Sequence, residues 1–215
     1  MYHNLTRHWY SVVLGLIALG QALSMQAQPP APPKTKAVRA MANRPITLDE
    51  TALRLAIFDS AARFAGRTER TNRNDADWIY AINRFNGLPR QSHYCASGFY
   101  YVHVMNGVRL PIKGVGMVRS YFNTTSRVIY RRNARGNQRI GPRPRRMDAV
   151  SLFYSHIEGL ADDRFDPDTD DRVRLIGFNT TGGKGTLGGC YINTRRTSEI
   201  KVIANWISPY LQTIR

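Results

Sequence analysis

The fold and its chemistry are decided by two short stretches, His-Tyr-Cys-Ala-Ser-Gly-Phe-Tyr-Tyr-Val at residues 93–102 and Tyr-Ser-His-Ile-Glu at residues 154–158. Cys95 stands at the start of an apolar, aromatic-rich run with helical spacing. The positive end of a helix favours the thiolate, which is the reactive form of cysteine. His156 lies in a later β-prone segment. A thiol at a helix start and a histidine on a later strand indicate a cysteine hydrolase, provided that the fold brings them together.

Working outward, apolar spacing predicts helices in the first half of the chain and strands in the second. Helices are predicted over residues 48–65, capped by Thr47, through residues 78–85, and from Ser92 or His93 onward with Cys95 in the first turn. Strands are predicted at residues 149–154, 156–161, 173–178 and 190–196, and residues 200–211 close the chain as a strand or a helix. Helices followed by strands predict an α+β domain.

The N-terminal part of the chain predicts a leader followed by a linker. Residues 1–27 begin with a basic, acid-free segment, continue with an apolar run too short to span a bilayer, and end in small residues. We expect a secretory signal peptide there, with an uncleaved amphipathic start as the alternative. The Pro-rich residues 28–44 favour an extended linker, so the folded domain is expected over residues 45–215. This organisation predicts a secreted or periplasmic bacterial protein without a transmembrane span after signal cleavage.

A basic segment at residues 127–146 interrupts the apolar pattern. It contains eight arginines and no acid, mixed with Asn, Gly and Pro. Because the apolar alternation of a core element is missing, we expect a long exposed loop. Its candidate anion-binding residues are Arg131, Arg132, Arg135 and Arg139.

The charge balance predicts anionic partners. The 215 residues carry a formal net charge of +16, which attracts polyanions. The basic segment has Tyr130 as its only aromatic residue and so lacks the interleaved stacking residues of a single-strand nucleic-acid binder. The missing stacking residues and the predicted secretion both disfavour nucleic acid as a partner. They favour anionic polymers of the cell envelope. A merely solvated basic loop is the alternative.

Four short motifs occur in a fixed order along the chain. They are Cys95-Ala96 before an aromatic-rich helix, Asp148-Ala149-Val150 at a strand start, His156 opening the next strand, and Phe178-Asn179-Thr180 ending another. In this order they resemble the CHAP and NlpC/P60 superfamily of cell-wall cysteine hydrolases. The resemblance covers residues 47–211, and the order of the motifs carries it more than any single motif does.

The resemblance implies a papain-like α+β fold, in which N-terminal helices pack on an antiparallel β-sheet and the nucleophile lies at a helix N-terminus. It implies cleavage of amide bonds of peptidoglycan, by an amidase or an endopeptidase. We expect the protein to be a monomer. Cys95 would be the nucleophile, His156 the base, and Asn179 the residue that orients the histidine. The Cys95 backbone N–H and Tyr94 are the expected oxyanion or substrate contacts.

Some positions depart from the family pattern. Glu158 stands where many relatives have Gly, and Gly177 stands where they have Glu. Residues two apart on a strand share a face, so Glu158 is a second candidate for orienting His156, with a solvated carboxylate as the alternative. Asp148 corresponds to a turn residue and is expected to be structural. Met147 before it occupies a position that is Gly in many relatives.

Structural interpretations remain open at this stage. Cys95 is also explained as a small apolar core residue, or as half of a disulfide with Cys190. The alternative function is that of a non-catalytic relative that binds anionic envelope polymers through its basic surface. No metal or cofactor is expected. A calcium loop that begins at Asp166 would need Gly where Asp171 stands and Glu where Gly177 stands.

Overall fold

The structure is a computed structural model that describes residues 49–133 and 136–214. The predicted signal peptide, the predicted linker, Thr47 and Arg135 lie outside the described residues. The predictions made for them therefore stay predictions.

Helices occupy the first half of the described chain and its C-terminal end. They are α1 (Glu50–Ala62), α2 (Asp77–Phe85), α3 (Cys95–Met105) and α4 (Ile207–Thr213). The first helix begins later than predicted, because the carboxylate of Asp49 caps it by accepting a hydrogen bond from the Thr51 backbone N–H. Leu53, Ile57 and Ala61 recur every four residues and form its buried face.

The described strands form one antiparallel sheet. They are β1 (Val128–Asn133), β2 (Gly136–Arg139), β3 (Ala149–Leu152), β4 (Ile157–Leu160), β5 (Arg172–Thr180), β6 (Gly189–Arg196) and β7 (Ile200–Ala204). Their order across the sheet is β2-β1-β7-β3-β4-β5-β6, and every neighbouring pair runs antiparallel. The predicted α+β class with an antiparallel sheet is confirmed at this level.

The prediction of a long exposed loop over residues 127–146 is wrong. Part of this segment forms β1 and β2, and β1 pairs with β7 inside the sheet. Val128, Ile129 and Tyr130 are all buried. A strand that is covered on both faces has consecutive apolar residues and no alternation of apolar and polar ones. The search for alternation therefore did not identify β1.

The central strands of the sheet are buried on both faces. Ala149, Ile176 and Ala204 belong to the core under the helices. Their immediate neighbours Val150, Leu175 and Ile203 belong to a second core on the opposite face, as the two-residue period of a strand requires. The closing segment contains both predicted elements, strand β7 and then helix α4.

Asp148 has the structural role that the sequence predicted. Its buried carboxylate accepts a hydrogen bond from Arg54 Nη1 at 2.8 Å and another from the Arg145 backbone N–H at 2.8 Å. Met147, directly before it, has a φ of 61°. This is the left-handed conformation, which favours glycine over residues with a side chain such as methionine.

Candidate active site

Cys95 is the first residue of α3. Its side chain is free and its residue is only 6% exposed. Neighbouring contacts fix the first turn of the helix, because Ser97 Oγ donates to Asn83 of α2 at 2.9 Å and Tyr121 Oη donates to the Ala96 carbonyl at 2.9 Å. Because Cys95 is the first helical residue, its thiol lies near the backbone N–H groups that have no partner inside the helix.

His156 is buried directly before β4, with the Tyr154 ring stacked on it at 5.6 Å between centroids. Burial alone would lower the pKa of this imidazole. Interactions with the Cys95 side chain and the Glu158 carboxylate outweigh burial and raise the pKa of His156 to about 9. The structure thus brings together the thiol and the histidine that the sequence predicted as partners.

Glu158 is the carboxylate that faces His156. It is fully buried on β4, with Oε1 at 3.3 Å from His156 Nε2. This is an ion-pair contact, because within the described part of the chain Nε2 is not aligned for a hydrogen bond. Arg195 of β6 donates to Glu158 Oε1 at 2.7 Å and to Oε2 at 3.3 Å. Burial raises the pKa of Glu158, but the two cationic neighbours outweigh it and lower this pKa overall.

Gly177 makes room for this carboxylate. The pairing of Gly159 with Ile176 places Glu158 opposite Gly177 on the adjacent strand β5. A Cβ atom at Gly177 would lie 2.7 Å from Glu158 Cγ and 2.7 Å from its Oε1. The carboxylate therefore fills the space that a side chain at position 177 would need.

The structure places Asn179 beside a different histidine. Asn179 lies at a bulge of β5 with a φ of 54°, and its Nδ2 is 3.2 Å from His93 Nδ1. No contact between Asn179 and His156 is found among the described residues. The expected orienting contact is thus made by Glu158, and Asn179 and His93 form a second pair at the same cavity.

Tyr94 was expected to contact the substrate or the oxyanion, and its side chain is not placed to do so. Its side chain is fully buried, and its hydroxyl donates to Glu69 Oε1 at 3.0 Å. Burial and the nearby Glu69 carboxylate raise its pKa. Tyr94 therefore anchors the residue before the helix and does not line the cavity at Cys95.

One cavity of about 610 Å³ unites the candidate residues. Its lining combines the polar groups of the site with a short segment between α3 and β1: His93, Cys95, Gly116, Met117, Val118, Arg119, Tyr154, Ser155, His156 and Asn179. A volume of this size suits a pocket for a small ligand or a few residues of a polymer. Sequence analysis missed His93 and Arg119. The proximity of His93 to Cys95 in the chain was the only available signal.

The second cysteine has no part in this cavity. Cys190 is free and completely buried, and its Sγ lies 3.9 Å from the Ala61 carbonyl. Burial is the main cause that raises the pKa of the Cys190 thiol to about 12. The structure holds two free thiols and no disulfide between Cys95 and Cys190.

The arginines of the basic segment are mostly engaged inside the molecule. Arg132 donates to the Thr197 carbonyl at 3.2 Å, and Arg139 lies 3.9 Å from an Asp168 carboxylate oxygen. Three further arginines form ion pairs, namely Arg143 with Asp166, Arg145 with Glu50 and Arg146 with Asp163. Arg131 is partly buried on β1. This partnering weakens the case for a free polyanion-binding surface.

Comparisons with family models, with curated proteins and with solved structures return no significant match for this chain. Within residues 49–133 and 136–214, none of the helices has the length and apolar character needed to cross a membrane.

Proposed function

We propose that this protein is a cysteine hydrolase that cleaves amide bonds of peptidoglycan. The observation that carries the proposal is the arrangement around one cavity of a thiol at a helix start, a buried histidine and a buried carboxylate. Cys95 and His156 line that cavity, and Glu158 lies behind His156 at 3.3 Å. This is the order of nucleophile, base and orienting group that nucleophilic amide hydrolysis uses.

In the first half-reaction the Cys95 thiolate attacks the carbonyl carbon of the substrate amide, and a C–S bond forms. Backbone N–H groups at the start of α3 are the candidate donors to the oxyanion. His156 then gives its proton to the leaving nitrogen as the C–N bond breaks, which releases an amine and leaves a thioester. The raised pKa of His156, about 9, keeps this proton available at neutral pH.

In the second half-reaction His156, now neutral, takes a proton from water. The resulting hydroxide adds to the thioester carbonyl, the C–S bond breaks, and the acid product leaves Cys95 as thiolate and His156 as imidazolium. Glu158 stabilises the imidazolium at both ends of the cycle. Arg195 holds Glu158 through two hydrogen bonds and supplies the charge that allows a carboxylate to be buried there.

The two departures from the family pattern support the proposal when they are taken together. In many relatives the Glu belongs to the position of Gly177 and the Gly to that of Glu158. Here the carboxylate comes from β4 instead of β5 and occupies the space above Gly177. A carboxylate therefore lies beside the histidine, which is the orienting contact that the proposed mechanism needs.

The test is hydrolysis of purified peptidoglycan by the full chain and by two variants. Released muropeptides and new amino groups are measured by mass spectrometry. We expect release by the unchanged protein, none by Cys95→Ala, and unchanged release by Cys190→Ala, which is the matched control for loss of a buried thiol. Equal release by the unchanged protein and by Cys95→Ala, or no release by either, would refute the proposal.

A further inference from the structure

Arg119 is a cation of the cavity wall that lacks a carboxylate partner within the described part of the chain. It is exposed, and its guanidinium donates a hydrogen bond to Met117 Sδ at 3.6 Å. The residues that line the cavity include no Asp or Glu. This differs from the arginines of the basic segment, several of which face an acid inside the molecule.

The reacting groups do not use this charge. With Cys95 as thiolate and His156 as imidazolium, the two charges compensate each other, and Glu158 is compensated by Arg195. Arg119 is then a surplus positive charge at the cavity. A neutral peptide would leave it without a counter-charge, whereas an anionic group of the substrate would neutralise it.

We propose that Arg119 binds a free carboxylate of the substrate and restricts the site to amide bonds that have such a carboxylate nearby. This inference rests on the proposed amide hydrolysis and names its substrate class, namely acidic peptides. A guanidinium matches a carboxylate with two parallel hydrogen bonds, which gives geometry as well as affinity. Tyr154 and Met117, both partly exposed at the cavity, offer apolar surface to the rest of the peptide.

The experiment compares one batch of muropeptides in two forms, with free stem carboxylates and with the carboxylates converted to carboxamides. kcat/KM is measured for the unchanged protein, Arg119→Gln and Arg109→Gln. Arg109 is an exposed arginine outside this cavity and controls for the loss of one positive charge. A single charge-assisted hydrogen-bonded contact corresponds to about tenfold or more.

We expect the unchanged protein and Arg109→Gln to prefer the free acids by about tenfold or more. Arg119→Gln should lose that preference, because its kcat/KM falls more for the free acids than for the carboxamides. Arg119→Lys should restore part of the preference, since lysine keeps the charge but not the fork of donors. Equal cleavage of both forms by the unchanged protein would overturn the inference while leaving the hydrolase intact.

A second measurement separates this inference from the proposed function. Binding of both muropeptide forms to Cys95→Ala and to Cys95→Ala/Arg119→Gln is measured by calorimetry. We expect tighter binding of the free acids only where Arg119 is present. If no form is cleaved by the unchanged protein, this selectivity in binding still supports the role of Arg119, and its absence overturns it.

Discussion

Glu158→Gln removes the negative charge that faces His156 and keeps the size of the side chain. Glu158 Oε1 lies 3.3 Å from His156 Nε2, where two unit charges attract by about 5 kcal/mol at an effective dielectric constant of about 20. Arg195 Nη2 lies 2.7 Å from the same oxygen and offsets part of this attraction. We expect the imidazolium to lose about 3 kcal/mol, which moves its titration to lower pH by about two units.

The assay is the pH dependence of kcat/KM on muropeptides. His156 must be protonated to serve the leaving amine, so activity of the unchanged protein should fall as pH rises through the His156 pKa of about 9. In Glu158→Gln the same fall should occur near pH 7 by the shift of about two units. Titration of the His156 ring followed by NMR checks the assignment directly.

A double variant separates this electrostatic role from a structural one. Glu158→Gln leaves Arg195 partly buried without its anion, whereas Glu158→Gln/Arg195→Met removes both charges. We expect the double variant to recover stability but to keep the lowered alkaline limit. An alkaline limit that stays near the original value in folded Glu158→Gln protein would refute the reasoning, because Glu158 would then not support the charged histidine.

Three further predictions concern other parts of the site and its support. In the folded protein a disulfide reagent such as Ellman's should titrate Cys95 rapidly and Cys190 only after unfolding, because burial raises the Cys190 pKa to about 12; rapid reaction of Cys190 would contradict this. Arg54→Ala leaves the buried carboxylate of Asp148 without its charged partner. The free energy of unfolding, measured in urea, should fall by about 3–5 kcal/mol. A loss below about 1 kcal/mol would show that this ion pair contributes little. Gly177→Ala inserts a methyl group at 2.7 Å from the Glu158 carboxylate and should reduce kcat at least about tenfold while costing about 1–3 kcal/mol of stability; an unchanged kcat would separate the position of Glu158 from catalysis.

The helical half of the fold could be predicted because its signals are local. The start of α3 at Cys95 follows from the apolar run after it. Ala149, Ile157 and Val173 mark strands through β-prone runs close to the predicted ones. Strand β1 could not be predicted in the same way. Its three apolar residues are consecutive and lie between arginines, so they show neither a strand period nor a helix period.

The meeting of Cys95 and His156 at one cavity could be predicted from the sequence, whereas the residues around them could not. Cys95 and His156 were found because thiol and imidazole chemistry limits the choice of residue type. The choice between Asn179 and Glu158 depends on the register of β4 against β5 and on a bulge with positive φ at Asn179, and neither is visible in the order of residues. Arg119 lies in a connecting segment without periodicity, so only the fold reveals that it reaches the cavity.

Arg54 has a consequence for how the chain reaches its folded state. Its guanidinium is completely buried. One partner, Glu50, lies one helical turn away at 2.8 Å, whereas the other partners Arg146, Asp148, Asn205 and Ser208 lie 92, 94, 151 and 154 residues further along the chain. An arginine cannot lose its charge, so helix α1 cannot take its final place until those partners have been synthesised. Burial of the first helix therefore depends on residues from the last strand and helix of the domain, and contacts between such distant parts of a sequence slow folding.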